Sequence, residues 1–125
     1  MSHERPSITP SMESSSRIIN RQAALTRLGG SEQLFNDMVG FFREDAPQLS
    51  EAARQAVTDQ DDAETRRTAH SLKGLAANIE VSEVVRLAQQ LEDLGRTGQL
   101  DEAPAVLHAL NRAVADVMTA CERSE

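Results

Sequence analysis

Residues 62–79, DAETRRTAHSLKGLAANI, contain the clearest helical pattern in the chain. Apolar residues recur there at spacings of three and four, which place them on one face of an α-helix: Leu72, Leu75, Ala76 and Ile79. Asp61 and Glu64, three residues apart, resemble the capping box that opens many helices. The stretch predicts an amphipathic helix from Asp61 or Asp62 to about Ile79, with one face directed into a core.

Two predicted helices precede this stretch. Asn20 is a good N-cap for a short first helix, which Gly29-Gly30 ends. Ser31 caps a longer second helix, and Pro47 inside it predicts a kink or a break. The apolar positions of the second helix follow the same spacing: Phe35, Met38, Phe42, Ala46, Leu49, Ala53 and Ala56.

Two further helices follow it, one from about Ser82 and one from about Asp101, with Pro104 tolerated in the first turn of the last. Their apolar stripes are Val84, Leu87, Ala88, Leu91 and Leu94, and then Val106, Leu110, Ala113, Val117 and Cys121. The turns between successive predicted helices are short, and helices joined by short turns pack antiparallel with their neighbours. The predicted fold class is therefore all-α, an antiparallel up-down-up-down four-helix bundle with a short extra N-terminal helix.

The composition argues against several other classes of protein. The chain has 125 residues, a formal net charge of −7 and 2% aromatic residues. Few aromatic residues disfavour an all-β sandwich or barrel, and the negative charge disfavours a nucleic-acid partner. No stretch approaches the ~20 apolar residues of a membrane span. The single Cys121 excludes an intramolecular disulfide framework and a cysteine-rich zinc site.

The N-terminal segment differs from the rest of the chain. Residues 1–17 are rich in Ser and contain little that a core could bury. We interpret them as a flexible tail or linker, and residues 18–125 as one domain. The segment lacks the apolar stretch of a secretory signal, so the expected compartment is the cytoplasm.

His70 is on the opposite side of its helix from the apolar face. At about 100° per residue, five residues fall within about 60° of it: Arg66, Arg67, Lys73, Gly74 and Ala77. The imidazole is therefore expected to point to solvent, between three cations and two residues with little or no side chain.

Gly74 is a costly residue at an exposed helical position, since Gly is less favourable there than Ala by roughly 0.5–1 kcal/mol. A position that faces only solvent has room for a side chain. A position beside which a partner surface must approach His70 is better left without one. Lys73, one turn from His70, could neutralise a phosphoryl group on the ring. An exposed His alone is usually an ordinary surface residue. The occurrence of His70, Lys73 and Gly74 together on one face is what indicates a functional site.

Other candidate residues indicate structure rather than chemistry. His108 is expected at the edge of the core on the last helix, and Cys121 on its apolar stripe. A di-metal bundle needs a Glu three residues before its His ligands, and neither His70 nor His108 has one. Phe42 has the spacing of the core residues of its helix. Phe41, the adjacent residue, is expected to pack in a second seam on the opposite side of the helix, with a docking surface as the alternative. The sequence contains neither a Ser-His-Asp set nor a nucleotide loop, the features that would indicate an autonomous enzyme.

Residues 69–79, AHSLKGLAANI, resemble the signature of histidine phosphotransfer (HPt) domains. That signature has His, any residue, an apolar residue, Lys and Gly, followed by small residues and an Asn or Ser. The likeness covers most of the chain and includes three other stretches: residues 28–30, residues 42–47 and Leu91-Glu92. The sequence departs from the family at Glu80-Val81, where members often have Gly-Ala, and this leaves the end of the His70 helix open.

The resemblance implies a helical bundle that relays phosphoryl groups in two-component signalling. His70 would accept a phosphoryl group from an aspartyl phosphate on a receiver domain and pass it to another receiver. Lys73 would contact the phosphoryl oxygens, while Gly74 and Ala77 would leave room for the receiver. Asn78 would help to orient the site. Arg66 and Arg67 would add positive potential, and Glu92 would fix the tautomer of the ring by a hydrogen bond.

The expected activity is that of a phosphoryl carrier and not of an enzyme. No cofactor or metal site of its own is expected, because Mg²⁺ and the catalytic carboxylates would come from the receiver. The expected partners are response-regulator receiver domains, with a hybrid sensor histidine kinase as a further candidate and no nucleic acid or membrane contact. A monomer is expected. The alternative is a helical adaptor that docks a signalling protein without phosphoryl chemistry.

Overall fold

A computed structural model describes residues 18–124, so the predicted tail at residues 1–17 lies outside the described residues. The described part of the chain forms helices and contains no strand. The helices are α1 Arg21–Arg27, α2 Glu32–Thr58, α3 Asp62–Asn78, α4 Ser82–Thr97 and α5 Ala103–Ser124, with a 3₁₀ turn at Leu100–Glu102. The predicted all-α fold class is confirmed.

The four long helices form a closed ring of contacts. Helix α2 packs against α3, α3 against α4, α4 against α5, and α5 back against α2, while α1 packs on α2. The largest side chains of the core are fully buried between them: Phe42, Leu72, Ile79, Leu91 and Leu110. This arrangement is the predicted antiparallel bundle with its short extra helix. Within residues 18–124, no helix is long and apolar enough to cross a membrane.

The predicted N-caps form at the first three helices. The side chains of Asn20 and Ser31 each accept a hydrogen bond of 3.0 Å from the backbone N–H three residues on. Asp61 does the same for Glu64 at 3.1 Å. The capping box is nevertheless only half formed, because the Glu64 carboxylate binds Arg67 instead of reaching back to the backbone of Asp61.

Helix α2 continues through Pro47 without a break. A Pro in a helix interior costs about 3 kcal/mol in local terms, since it removes one backbone hydrogen bond and crowds the preceding turn. Pro47 is exposed, and the residues around it on the inner face, Phe42, Ala46 and Ala53, are fully buried. We attribute the continuity of α2 to this tertiary packing. Of the two predicted outcomes, a kink or a break, the break is therefore wrong.

The end of α3 does not need the Gly that is common in the family. Glu80 itself adopts the left-handed conformation, with φ 57°. This geometry lets the N–H of Val81 donate to the carbonyl of Ala76 at 3.0 Å, as in a Schellman C-cap. The Glu80 carboxylate also pairs with Arg27 at 3.2 Å, which ties the end of α3 to α1.

Candidate functional site

The imidazole of His70 stands on the outer face of α3. Its side chain is 67% exposed, whereas Ala69 and Leu72 on the same helix are fully buried. The burial of these apolar neighbours fixes the rotation of α3 about its axis. His70 therefore points away from the core, as its helical position predicts.

Glu92 on α4 bridges His70 and Lys73. Its Oε2 lies 3.1 Å from Nδ1 of His70, and its Oε1 lies 2.8 Å from Nζ of Lys73. The carboxylate is only 17% exposed, and Lys73 is 25% exposed. A carboxylate can accept a hydrogen bond only from a protonated ring nitrogen. This contact therefore favours the tautomer with the proton on Nδ1 and leaves Nε2 as the nitrogen with a free electron pair.

The charge state of Glu92 follows from its surroundings. Burial raises the pKa of this carboxyl, but the hydrogen bonds from Lys73 and His70, with the positive charge of Lys73, outweigh burial. The net effect is a pKa below the usual value for Glu. Glu92 is therefore an anion at neutral pH and can stabilise positive charge on the imidazole ring.

Gly95, which the sequence patterns did not single out, controls the distance between α3 and α4. A Cβ at this position would lie 2.8 Å from the backbone N of Arg66 and 2.9 Å from the carbonyl O of Asp62. Gly95 lies one turn after Glu92, and Arg66 one turn before His70. Close backbone contact at Gly95 thus brings the Glu92 carboxylate within reach of the ring. The sequence did contain a signal for this close contact. Gly95 lies inside the helix predicted from about Ser82, at a position where the spacing of the helix would place an apolar side chain.

Open space lies on the other side of His70. A Cβ added at Gly74 would meet no atom within 4 Å. From Gly74 a shallow groove of about 740 Å³ runs between α3 and α2. Its lining includes Asn78 from α3 and Asp45 and Gln48 from α2. The two flanks of His70 therefore differ, with a charged, hydrogen-bonded side toward α4 and an open side toward α2.

The remaining predicted site residues surround this centre. Arg66 and Arg67 are exposed, while Ala77 and Asn78 are half-buried. Arg67 pairs with Glu64 at 2.6 Å, so part of the positive potential expected from the two arginines is neutralised within α3. Gln89, which sequence reasoning missed, accepts a 2.9 Å hydrogen bond from Lys73. Its position three residues before Glu92 on the polar face of α4 was the available signal.

Phe41 is 49% exposed, so the expectation that it packs in a second seam is wrong. The core on this part of α2 is already filled by Phe42, one residue away and fully buried, and adjacent residues point about 100° apart. Phe41 precedes Asp45 by four residues and Gln48 by seven. This spacing places Phe41 on the same face of α2 as the groove beside Gly74.

The other candidate residues lie elsewhere. His108 is exposed on α5 beside a separate groove between α2 and α5, and Cys121 is buried in the core. Across the described residues, no group of three or more His, Cys, Asp or Glu side chains is arranged to bind a metal ion.

The fold and the site define a class: four-helix bundles in which an exposed imidazole on the outer face of a helix is supported by a carboxylate from the next helix. The Hpt domain family matches residues 37–120. This match covers more than half of the chain, and the chain therefore belongs to the Hpt domain family.

A solved structure is similar over most of the chain. The crystal structure of histidine-containing phosphotransfer protein B (HptB) from Pseudomonas aeruginosa PAO1 aligns with a TM-score of 0.77. The two sequences are 22% identical, and the alignment covers 86% of this chain and 93% of the other. At this identity the likeness supports the fold. Comparison with curated proteins gives no match.

Proposed function

We propose that this domain is a histidine phosphotransfer carrier in which His70 accepts a phosphoryl group from an aspartyl phosphate on a receiver domain and passes it to another receiver. The observation that carries the proposal is the asymmetric setting of the ring. Nδ1 faces Glu92 at 3.1 Å, while the side chain is 67% exposed and the adjacent Gly74 leaves open space. Membership of the Hpt domain family supports the same assignment.

The transfer step needs only one nucleophilic atom from this chain. Nε2 of His70 attacks phosphorus, and an N–P bond forms as the P–O bond of the acyl phosphate breaks. The electron pair of that bond leaves with the carboxylate of the receiver. Nδ1 keeps its proton, so the phosphorylated ring becomes cationic, and the Glu92 carboxylate stabilises that charge. The reverse sequence returns the phosphoryl group to a second receiver.

The receiver supplies the remaining catalytic groups. Phosphoryl transfer depends mainly on positioning and on cations that neutralise the oxygens, and Mg²⁺ held by the receiver would supply the second. Lys73 adds one cation from this chain. The domain is thus a carrier without a cofactor of its own, acting in the cytoplasm with its receivers.

The receiver approaches from the side of α2. Gly74 removes the side chain that would stand between the receiver and His70, and Ala77 and Asn78 border the same approach. The exposed ring of Phe41 extends the contact along the groove. An exposed aromatic side chain beside a groove is a common anchor of protein interfaces.

The proposal is tested with a receiver domain charged by acetyl phosphate. Labelled phosphoryl groups should appear on the wild-type domain as an acid-labile, base-stable modification, which is the stability of phosphohistidine. His70→Gln should remove the label completely. His108→Gln is the matched control, because His108 is also an exposed histidine on a helix, and this variant should be labelled like the wild type.

Two outcomes would contradict the assignment. Label that survives His70→Gln would place the acceptor elsewhere. A folded wild-type domain that binds charged receivers but takes no label from any of them would favour the adaptor without phosphoryl chemistry.

A further inference from the structure

Helix α4 carries a row of polar side chains that includes Glu92, the carboxylate beside the ring. Gln89, Glu92, Asp93 and Arg96 have the spacing i, i+3, i+4 and i+7, which places them on one face of a helix. Lys73 lies against this face and is only 25% exposed. The Lys73 ammonium is therefore held by α4 and does not extend freely into solvent.

Two side chains hold the ammonium in different ways, Glu92 by an ion pair and Gln89 by a hydrogen bond. Nζ of Lys73 lies 2.8 Å from Oε1 of Glu92 and donates a 2.9 Å hydrogen bond to Oε1 of Gln89. Glu92 also contacts His70, so its carboxylate is shared between the ring and the ammonium. The amide of Gln89 is the acceptor that serves Lys73 alone.

The orientation of the Gln89 amide is determined by charge. Its Nε2 donates to Oδ1 of Asp93 at 3.0 Å, and Asp93 in turn pairs with Arg96 at 3.1 Å. The flipped amide would direct N–H groups at an ammonium and an oxygen at a carboxylate, and both contacts would be repulsive. Asp93 and Arg96 thus keep the carbonyl of Gln89 directed at Lys73.

A neutral acceptor also preserves the net charge of the site. Lys73 and Glu92 together sum to zero, so a phosphoryl group with about two negative charges meets no excess of anions here. A carboxylate at position 89 would leave Lys73 between two anions and would repel the incoming phosphoryl group. An amide orients the ammonium without this cost.

We propose that Gln89 is a positioning residue that holds the Lys73 ammonium beside His70, so that the cation is in place for the phosphoryl oxygens when the N–P bond forms. The inference rests on the proposed function for its kinetic consequence. Its structural consequence, an ordered Lys73 ammonium in the free domain, does not depend on phosphoryl transfer.

The experiment compares Gln89→Met, which keeps the length of the side chain and removes the acceptor, with Gln89→Glu, which adds a charge. The same two substitutions at Gln90, the next residue and an exposed one, are the matched controls. NMR of the Lys73 ammonium in the free domain measures its order, and transfer from a charged receiver is resolved into a maximal rate and an apparent KM.

The expected results follow from the contacts. In Gln89→Met the Lys73 ammonium signal should shift and exchange faster with water, and the maximal rate should fall about fivefold while KM changes less than twofold. Gln89→Glu should lower the rate more than tenfold. Both Gln90 variants should behave like the wild type. In a Lys73→Ala background, Gln89→Met should have no further effect, because Gln89 acts through Lys73.

The outcomes that overturn the inference differ from those that overturn the function. An unchanged Lys73 signal in Gln89→Met, a wild-type rate in that variant, or a full fivefold loss that persists in the Lys73→Ala background would each overturn the positioning role. A wild-type domain that takes no label would overturn the proposed function, and the NMR comparison would still decide whether Gln89 orders Lys73.

Discussion

Gly74 in α3 and Gly95 in α4 both occupy helix interiors, where Gly costs about 1 kcal/mol relative to Ala. A Cβ at Gly95 would lie 2.8 Å from the backbone of the neighbouring helix, whereas a Cβ at Gly74 would meet nothing within 4 Å. Packing within the chain therefore accounts for Gly95 and does not account for Gly74. Gly40 in α2 is likewise open, so the lack of a packing reason alone does not give Gly74 a role; its position one turn from His70 is what supports the proposed clearance for a partner.

The two glycines also act on the same site from opposite directions. Gly95 lets α3 and α4 approach until Glu92 reaches the ring of His70. Gly74 leaves open space on the other side of the ring, and in the proposed function this space admits the receiver. Replacement of Gly by Ala should therefore lower the free energy of unfolding at Gly95, where the methyl group has no space, and raise it at Gly74, where it has.

The largest effect is expected for Gly95→Ala. The new methyl group would collide with backbone atoms of Arg66 and Asp62 that cannot move without separating the helices. We expect a loss of about 2 kcal/mol in the free energy of unfolding, in the range for overpacked cores. Urea denaturation followed by circular dichroism measures this loss. Wild-type stability in this variant would show that the α3–α4 contact is looser than the structure indicates.

Gly74→Gln should leave the fold intact and slow phosphoryl transfer about tenfold or more, equivalent to about 1.4 kcal/mol in the activation barrier. The reason is steric, because a long side chain would occupy the space beside His70 that the proposed function assigns to the receiver. Transfer from a charged receiver measures the rate, and circular dichroism confirms the fold. Transfer at the wild-type rate would refute the clearance argument.

Gly74→Ala should raise the free energy of unfolding by about 1 kcal/mol, since Ala is the better helix former and the added methyl group has open space. Urea denaturation of Gly74→Ala and Gly95→Ala in parallel shows whether their free energies of unfolding change in opposite directions. Gly40→Ala in α2 is a second comparison, because a Cβ at Gly40 also meets nothing within 4 Å. Destabilisation by Gly74→Ala would mean that Gly74 has an internal packing role after all.

The smallest effect concerns Glu92. Its pKa in the folded domain is lowered, because the hydrogen bonds from Lys73 and His70 outweigh the effect of burial. A lowered pKa means that Glu92 stabilises the fold above its unfolded pKa, about 4.3. This contribution is lost as pH falls through the folded pKa. NMR titration of the carboxyl should find the pKa below the usual value in the wild type and higher in Lys73→Ala. An unchanged pKa in Lys73→Ala would contradict the ion pair.

Much of the fold could be predicted because the local signals agree with the packing. The N-caps at Asn20, Ser31 and Asp61 and the apolar spacing of each long helix are properties of neighbouring residues, and all appear in the structure. The exposure of His70 follows from the same spacing. The predicted break at Pro47 failed because packing against distant residues decides the outcome there. The predicted burial of Phe41 failed because its neighbour Phe42 already fills the core on that part of α2.

The helices, their apolar faces and the residues around His70 could be read from the sequence, because helix formation and amphipathicity depend on spacings of three and four along the chain. The resemblance to HPt domains also indicated that Glu92 lies near the ring. How closely α3 and α4 approach at Gly95, and that Lys73 binds both Glu92 and Gln89, became visible in the packed fold alone. These contacts join residues 16 to 33 positions apart. Their geometry depends on the register and the separation of two packed helices, which no local pattern specifies.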